Sequence, residues 1–300
     1  MADNKHLIFD IPSELTSSAD GYEYLSYISL TTWNTEKKTI IFNFAKIQNF
    51  EVNLCSPFAA LLVGLIDRKN KITFVSVPSL VERDLEMYGF NHIINKKNIL
   101  EEVSNSSILT LQKFALLDNV TFQQYVNDKL LSQKGFPYLS VVLAKKINKS
   151  IFEIFNNAHT HGKCEFVYTC GKYYAETGIL KFTISDMGTT IRKSVNDFFE
   201  SGNRISGVDA IGWAVQEGNT TKKGGIPGGL GLSLIRDFLR LNGGSIQIIS
   251  SNGYWHEQNG AIFDQALRNR FLGTIVNIEF NLHDKKSYVL SSEIDPKNVL

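Results

Sequence analysis

Three groups of residues in this 300-residue chain have the types and spacing to do chemistry. The first is Ser185-Asp186-Met187-Gly188-Thr189-Thr190, directly after a β-branched and aromatic run. A carboxylate at a strand end can accept a hydrogen bond from an exocyclic amine such as that of adenine, and Gly188 lets a ligand come close to the backbone. Taken alone, Asp-x-Gly is an ordinary turn. The second is Gly224-Gly225-Ile226-Pro227-Gly228-Gly229-Leu230-Gly231-Leu232, running into helical periodicity. Glycine N–H groups at a helix N-terminus form a positively polarised cradle for phosphates, to which Thr220, Thr221, Lys222 and Lys223 would add hydroxyls and charge. No Lys-Ser/Thr follows these glycines and no strand precedes them, which excludes the Walker and dinucleotide-binding loops. In the third group, Glu153, Asn157 and His161 stand at i, i+4 and i+8, on one helix face roughly opposite Ile151, with Lys146 and Lys149 extending the stripe. By itself such a stripe is a solvated face.

These groups need elements to hold them. Pro137 is expected to start a long helix reaching about His161, with apolar residues at Leu139, Leu143, Ile147, Ile151, Phe155 and Ala158, and Gly162 as its cap. Strands are expected over Cys164–Cys170, Leu180–Ser185, Ser245–Ser250 and Thr274–Asn281, with a helix over Leu230–Leu241. Upstream, strand Thr39–Phe44, a helix from Ser56-Pro57 to Lys69, strand Lys71–Val77 and helix Leu80–Tyr88 form the strand–helix alternation of a parallel sheet. Asn95–Ser107 reads as a linker, and the first 35 residues give no clear periodicity.

Composition narrows the setting. With 43% apolar and 20% charged residues and a net charge of +1, the chain is neither a disordered polymer nor a general nucleic-acid or membrane-surface binder. The longest apolar run, Phe58–Ile66, is far short of the roughly 20 residues that span a bilayer. The N-terminal MADNKHLIFD lacks a signal-peptide core, and Cys55, Cys164 and Cys170 form no CxxC pair. The expectation is a cytoplasmic protein with three buried, inert thiols and, lacking HExxH, no zinc site.

In this order, Glu153-x-x-x-Asn157-Ala158-x-x-His161, Asp186-x-Gly188 and Gly229-Leu230-Gly231-Leu232 resemble the Asn box and the two Gly boxes of the GHKL ATPases. That superfamily includes gyrase B subunits, heat-shock chaperones, mismatch-repair ATPases, histidine kinases and anti-sigma-factor serine kinases. Residues 229–250 are similar to the histidine-kinase version, and Gly273-Thr274 to the family's closing strand; the resemblance spans about residues 135–282. It implies ATP and Mg²⁺ as ligands. Asp186 and Gly188 would hold adenine, with Thr274 assisting. Asn157 would be the Mg²⁺ ligand, and Gly229 and Gly231, flanking Leu230 and followed by Leu232, would meet the phosphates. Glu153 would be the general base and residues 189–228 a lid. The family often has Gly where Thr190 stands, and no phospho-acceptor His helix is visible; His256-Glu257 falls between two expected strands.

The first half resembles a STAS domain through Thr39–Phe44, Asn53-Leu54-Cys55-Ser56-Pro57-Phe58, ITFVSV and the helix ending at Tyr88-Gly89-Phe90. In that family a Ser at this helix start is phosphorylated. Here the Asp-Ser-x-Gly context is absent, and Ser56 reads as a helix N-cap. The implied fold is α/β: a STAS-like domain over 1–110 and a Bergerat-type sandwich, a mixed sheet covered by helices, over 111–300. The implied functions are an ATP-binding regulator that switches a protein partner through lid closure and slow hydrolysis, a serine/threonine kinase of anti-sigma type, or a nucleotide sensor without turnover. Family members often dimerise, so a homodimer is among the expected states.

Overall fold

The computed structural model describes residues 6–91, 107–158, 164–199, 204–221 and 230–294. The chain is a mixed α/β protein built around two principal sheets. The first is parallel, in the order β1 (His6–Asp10), β3 (Thr39–Asn43), β5 (Lys71–Val75), and a short parallel pair, β2 (Glu14–Leu15) with β4 (Asn49–Phe50), lies apart from it. Helices α1 (Ala19–Thr31), α2 (Cys55–Asp67) and α3 (Ser79–Met87) alternate with these strands. Ser18 caps α1 by accepting the Gly21 N–H, and Gly89, at φ 73°, lies just past the end of α3.

The second sheet has the order β10 (Ser245–Gln258), β11 (Ala261–Asn281), β9 (Ile179–Asp186), β8 (Phe166–Tyr174), β6 (Ile108–Ala115). Every pairing in it is antiparallel, which corrects the expectation of a mixed sheet. Two of the four pairings, β8–β9 and β10–β11, are hairpins, and a short link can join only antiparallel neighbours. β6 straddles residue 110 and pairs with β8. The β10–β11 hairpin is much longer than its two periodic segments. A register shift at Ser250–Gly253 breaks the alternation, and the strands run on to a two-residue turn at Asn259 (φ 52°) and Gly260 (φ 78°). His256 and Glu257 therefore sit inside β10, not between strands.

Helices α4 (Asn119–Tyr125), α5 (Val141–Asn157) and α8 (Leu230–Asn242) pack on one face of this sheet. The expected start of α5 at Pro137 is corrected. Tyr138–Leu139 (β7) pairs with Ser287–Tyr288 (β12), and the Ser140 N–H is taken by the Tyr288 carbonyl, so the helix begins only after Ser140, whose hydroxyl caps Leu143 N–H. Between β9 and α8 lie α6 (Ile191–Phe199) and α7 (Gly207–Ala214). Of the expected linker Asn95–Ser107, only Ser107 lies among the described residues.

The other face of the antiparallel sheet is covered by α1 and α2. Neighbouring residues alternate between the two cores: Ile248 and Val276 point to the α5–α8 side, Ile249 and Ile275 to the α1–α2 side. α2 is buried almost all round, as a helix wedged between two sheets must be. Ser56 is therefore no N-cap. Leu54 holds that position, and the Ser56 hydroxyl is fully buried, donating to the Tyr168 carbonyl at 2.8 Å and sharing a 2.7 Å hydrogen bond with Ser185 Oγ.

The contact between the layers is polar as well as apolar. Asn277 Oδ1 accepts from Thr183 Oγ1 (2.8 Å) and Asn53 Nδ2 (3.1 Å), while Asn277 Nδ2 donates to Gln247 Oε1 (3.1 Å), which also receives Tyr22 OH (3.2 Å). Lys181 Nζ lies 2.8 Å from Glu51 and 3.2 Å from Glu279. Such a buried network ties the layers together because breaking one of its bonds leaves a buried group unpaired, at a cost of about 1–3 kcal/mol; among the described residues Asn53 Oδ1 alone of the amide atoms named here lacks a partner. Two expectations follow. Far-UV circular dichroism and tryptophan fluorescence will report one coincident urea transition for both layers, and Asn277→Ala will move it down by about 1–3 kcal/mol; two separate transitions would show that the layers fold independently.

Candidate functional site

A cleft of about 130 Å³ opens between α5, the end of β9, the α6–α7 pair and the start of α8. Its floor is apolar, made by Ile184, Ile248 and Val276 from three adjacent strands, with Ile154 and Ala158 from α5 and Leu232 from α8. The strand pleat explains this: the residues of β9 alternating with Thr183 and Ser185 face away from the α1–α2 layer.

Two ionisable residues line the cleft among the described residues, Asp186 and Glu153. Asp186, at the last position of β9, is 6% exposed and lines the cleft. Its Oδ1 accepts the Gly188 N–H at 2.8 Å. Among the described residues it meets no cation. Burial pushes its carboxyl up from 3.8 to about 7, against the downward pull of the Gly188 N–H. The close fit of β11 along β9 sets this end of the strand: a Cβ at Gly273 would lie 2.0 Å from the Asp186 carbonyl oxygen, so only glycine fits. Thr274, paired in register with Asp186, lines the cleft and shares a 3.1 Å hydrogen bond with Ser250 Oγ.

Glu153 and Asn157 line the opposite wall, both half-buried on the inner edge of α5. Lys146 and Lys149, on the same stripe, are exposed and lie outside the lining. Thr221 and Leu232 also line the cleft. Gly188 and Thr190 are not among the residues that line the cleft. Thr190 caps α6, its Oγ1 accepting the Lys193 N–H at 3.3 Å. Leu230 and Gly231 open α8 by their backbone. His161, the expected cap Gly162, Lys222, Lys223 and the glycine cradle from Gly224 to Gly229 lie outside the described residues.

Much of the expected lid stretch 189–228 is ordered helix. Val195, Ala210 and Ile211 are buried, and Trp213 packs against Phe198 and Phe199 at 5.8 and 5.2 Å while also lining the cleft. Two ties anchor these helices: Ile191 N–H donates to Ser250 Oγ at 2.9 Å, and Arg236 donates to the Val215 carbonyl. Arg236 also pairs with buried Glu257 and stacks on Trp255 at 5.2 Å. Thr189, Ser194, Asn219 and Thr220 also line the cleft, with Ile191, Val195 and Ala214 from α6 and α7. Asn219 was not singled out from the sequence; it follows a glycine in a turn, where no periodicity marks a site.

Among the described residues no three His, Cys, Asp or Glu side chains form a metal-holding group. A divalent cation in this cleft would therefore take most of its oxygens from a ligand, with Asn157 as a protein donor whose side chain is otherwise unengaged among the described residues. Of the thiols, Cys55 and Cys170 are buried, and Cys164, half-buried, is pushed up to about 12 by burial and then by the nearby Asp186. No protein-family model and no curated protein matches the chain.

The raised Asp186 carboxyl has a consequence for stability. Its contribution is full below about 3.8 and is lost as pH rises through about 7, because the folded protein holds a proton that the unfolded chain releases. The unliganded protein will melt at lower temperature as pH climbs from about 5 to about 8. Asp186→Asn will flatten that fall and melt higher than the unaltered protein at the upper end; identical melting profiles would refute the buried charge.

Proposed function

We propose that the cleft binds ATP with Mg²⁺, as the GHKL resemblance implies, and that the bound nucleotide switches the protein's interaction with a partner. The observation that carries this reading is Asp186. A buried carboxylate at a strand end, on an apolar floor, is costly unless something pairs with it. Gly188 N–H occupies one oxygen, leaving the other for a ligand donor. The single exocyclic amine of adenine suits it, and the flat apolar floor of Ile184, Ile248 and Val276 suits the base.

The remaining chemistry follows from the opposite wall. Asn157 supplies a side-chain oxygen to Mg²⁺, which neutralises phosphate charge when bound. The N-terminus of α8 faces the phosphates with its backbone donors. Glu153 acts as base: it takes a proton from the attacking water as that oxygen bonds to the terminal phosphorus and ADP departs. If a partner's serine replaces water, the same residues make a protein kinase. Ser56 is ill placed as the acceptor, being fully buried and bonded to Ser185 on the sheet face away from the cleft. The sensor reading needs the same cleft without the Glu153 step.

Incubation with ATP labelled on the γ-phosphate separates these. Free phosphate is expected, falling at least about a hundredfold in Glu153→Ala with ATP affinity retained. Label on serine would assign a kinase, and binding without either would assign a sensor. ATP affinity is expected to rise from pH 6 to pH 8 as Asp186 ionises, because a charged carboxylate is the stronger acceptor. Asp186→Asn is expected to weaken binding about tenfold or more and abolish the pH dependence; unchanged affinity would overturn the site.

A further inference from the structure

Asn219 forms part of the cleft wall just beyond α7, next to Thr220 and near Trp213. Its side-chain amide is committed to its own segment: Nδ2 donates to the Trp213 carbonyl at 2.8 Å and to Gln216 Oε1 at 3.3 Å. A backbone carbonyl can only accept, so the amide nitrogen must face Trp213 and the amide oxygen must face the other way. Among the described residues nothing donates to that oxygen. The result is a half-buried acceptor, held in a fixed orientation in the lining of a cleft whose floor is apolar.

Its ligand has to be a donor. In the nucleotide reading, on which this inference rests, Asp186 takes the base amine, while Glu153, Asn157 and the start of α8 serve the phosphate end. Apart from the second N–H of that amine, which belongs to the base end with Asp186, the donors of ATP left unassigned are the ribose hydroxyls. We propose that Asn219 Oδ1 accepts a hydrogen bond from a ribose hydroxyl, making Asn219 a specificity residue that favours ribonucleotides over deoxyribonucleotides. The tether to Trp213 serves this role by fixing the acceptor in advance, so that little side-chain freedom is lost on binding.

The test is calorimetric titration of the full chain with ATP, 2′-deoxy-ATP and 3′-deoxy-ATP. The unaltered protein should bind ATP about tenfold more tightly than one of the two deoxy analogues, the worth of one hydrogen bond. In Asn219→Ala that preference should collapse to near unity, with affinity for the disfavoured analogue unchanged. Asn219→Asp, which keeps an acceptor but loses the amide donors that tether it to the Trp213 carbonyl, should retain only part of the preference. Equal weakening of all three nucleotides in Asn219→Ala would mean that the residue only holds its turn, and would overturn the assignment while leaving the nucleotide reading intact. So would binding of ATP and both analogues with equal affinity by the unaltered protein. Failure of that protein to bind ATP at all would overturn the nucleotide reading and this assignment together.

Discussion

Strand β9 has both of its faces in use, and the architecture depends on that constraint. Lys181, Thr183 and Ser185 bond toward the α1–α2 layer, through Glu51, Asn53 and Ser56 respectively. Leu180, Phe182 and Ile184 pack on the α5–α8 side, and Asp186 opens into the cleft. A one-residue slip of this strand would exchange the two sets, placing Thr183 and Ser185 in an apolar core and Ile184 among buried hydroxyls and amides. The register is therefore fixed twice over, and with it the height at which Asp186 meets the cleft.

The same constraint explains what the sequence disclosed and what it concealed. Asp186-x-Gly188 stood out because a carboxylate ending a β-branched run is unusual, and Glu153 with Asn157 because helical spacing survives any context. The parallel alternation of the first half was readable from its punctuation, Ser56-Pro57 in the first turn of α2, Pro78-Ser79 at the start of α3 and Gly89 just past its end. Helix α1 was not, because its inward face includes Ser26 and Ser29 beside Tyr22, Leu25 and Ile28, so the apolar period is broken. The interlayer network was hidden for a related reason: Asn53, Gln247 and Asn277 belong to residue types that ordinarily face water. Pro137 misled because the short β7–β12 pairing, formed with residues about 150 positions away, takes the chain before Ser140 out of the helix.

The cleft illustrates a division between stiff and adaptable parts. Its floor is sheet, its α5 wall is capped at Ser140, and α6–α7 are pinned at both ends by Ser250 and Arg236. Such framing holds polar groups in place at little cost when a ligand arrives. Asp186 is the exception, held close to its titration point by burial. A ligand donor there would do for the carboxylate what no cation among the described residues does.

The shared core has a practical corollary for dissecting the molecule. Removing the first 110 residues would strip α1 and α2 from the sheet and bare Tyr168, Cys170, Ile249, Phe271 and Ile275, a contiguous greasy surface. The α5–α8 half is thus no free-standing module to be excised and transplanted, and the amino-terminal layer is its second wall as much as a neighbour.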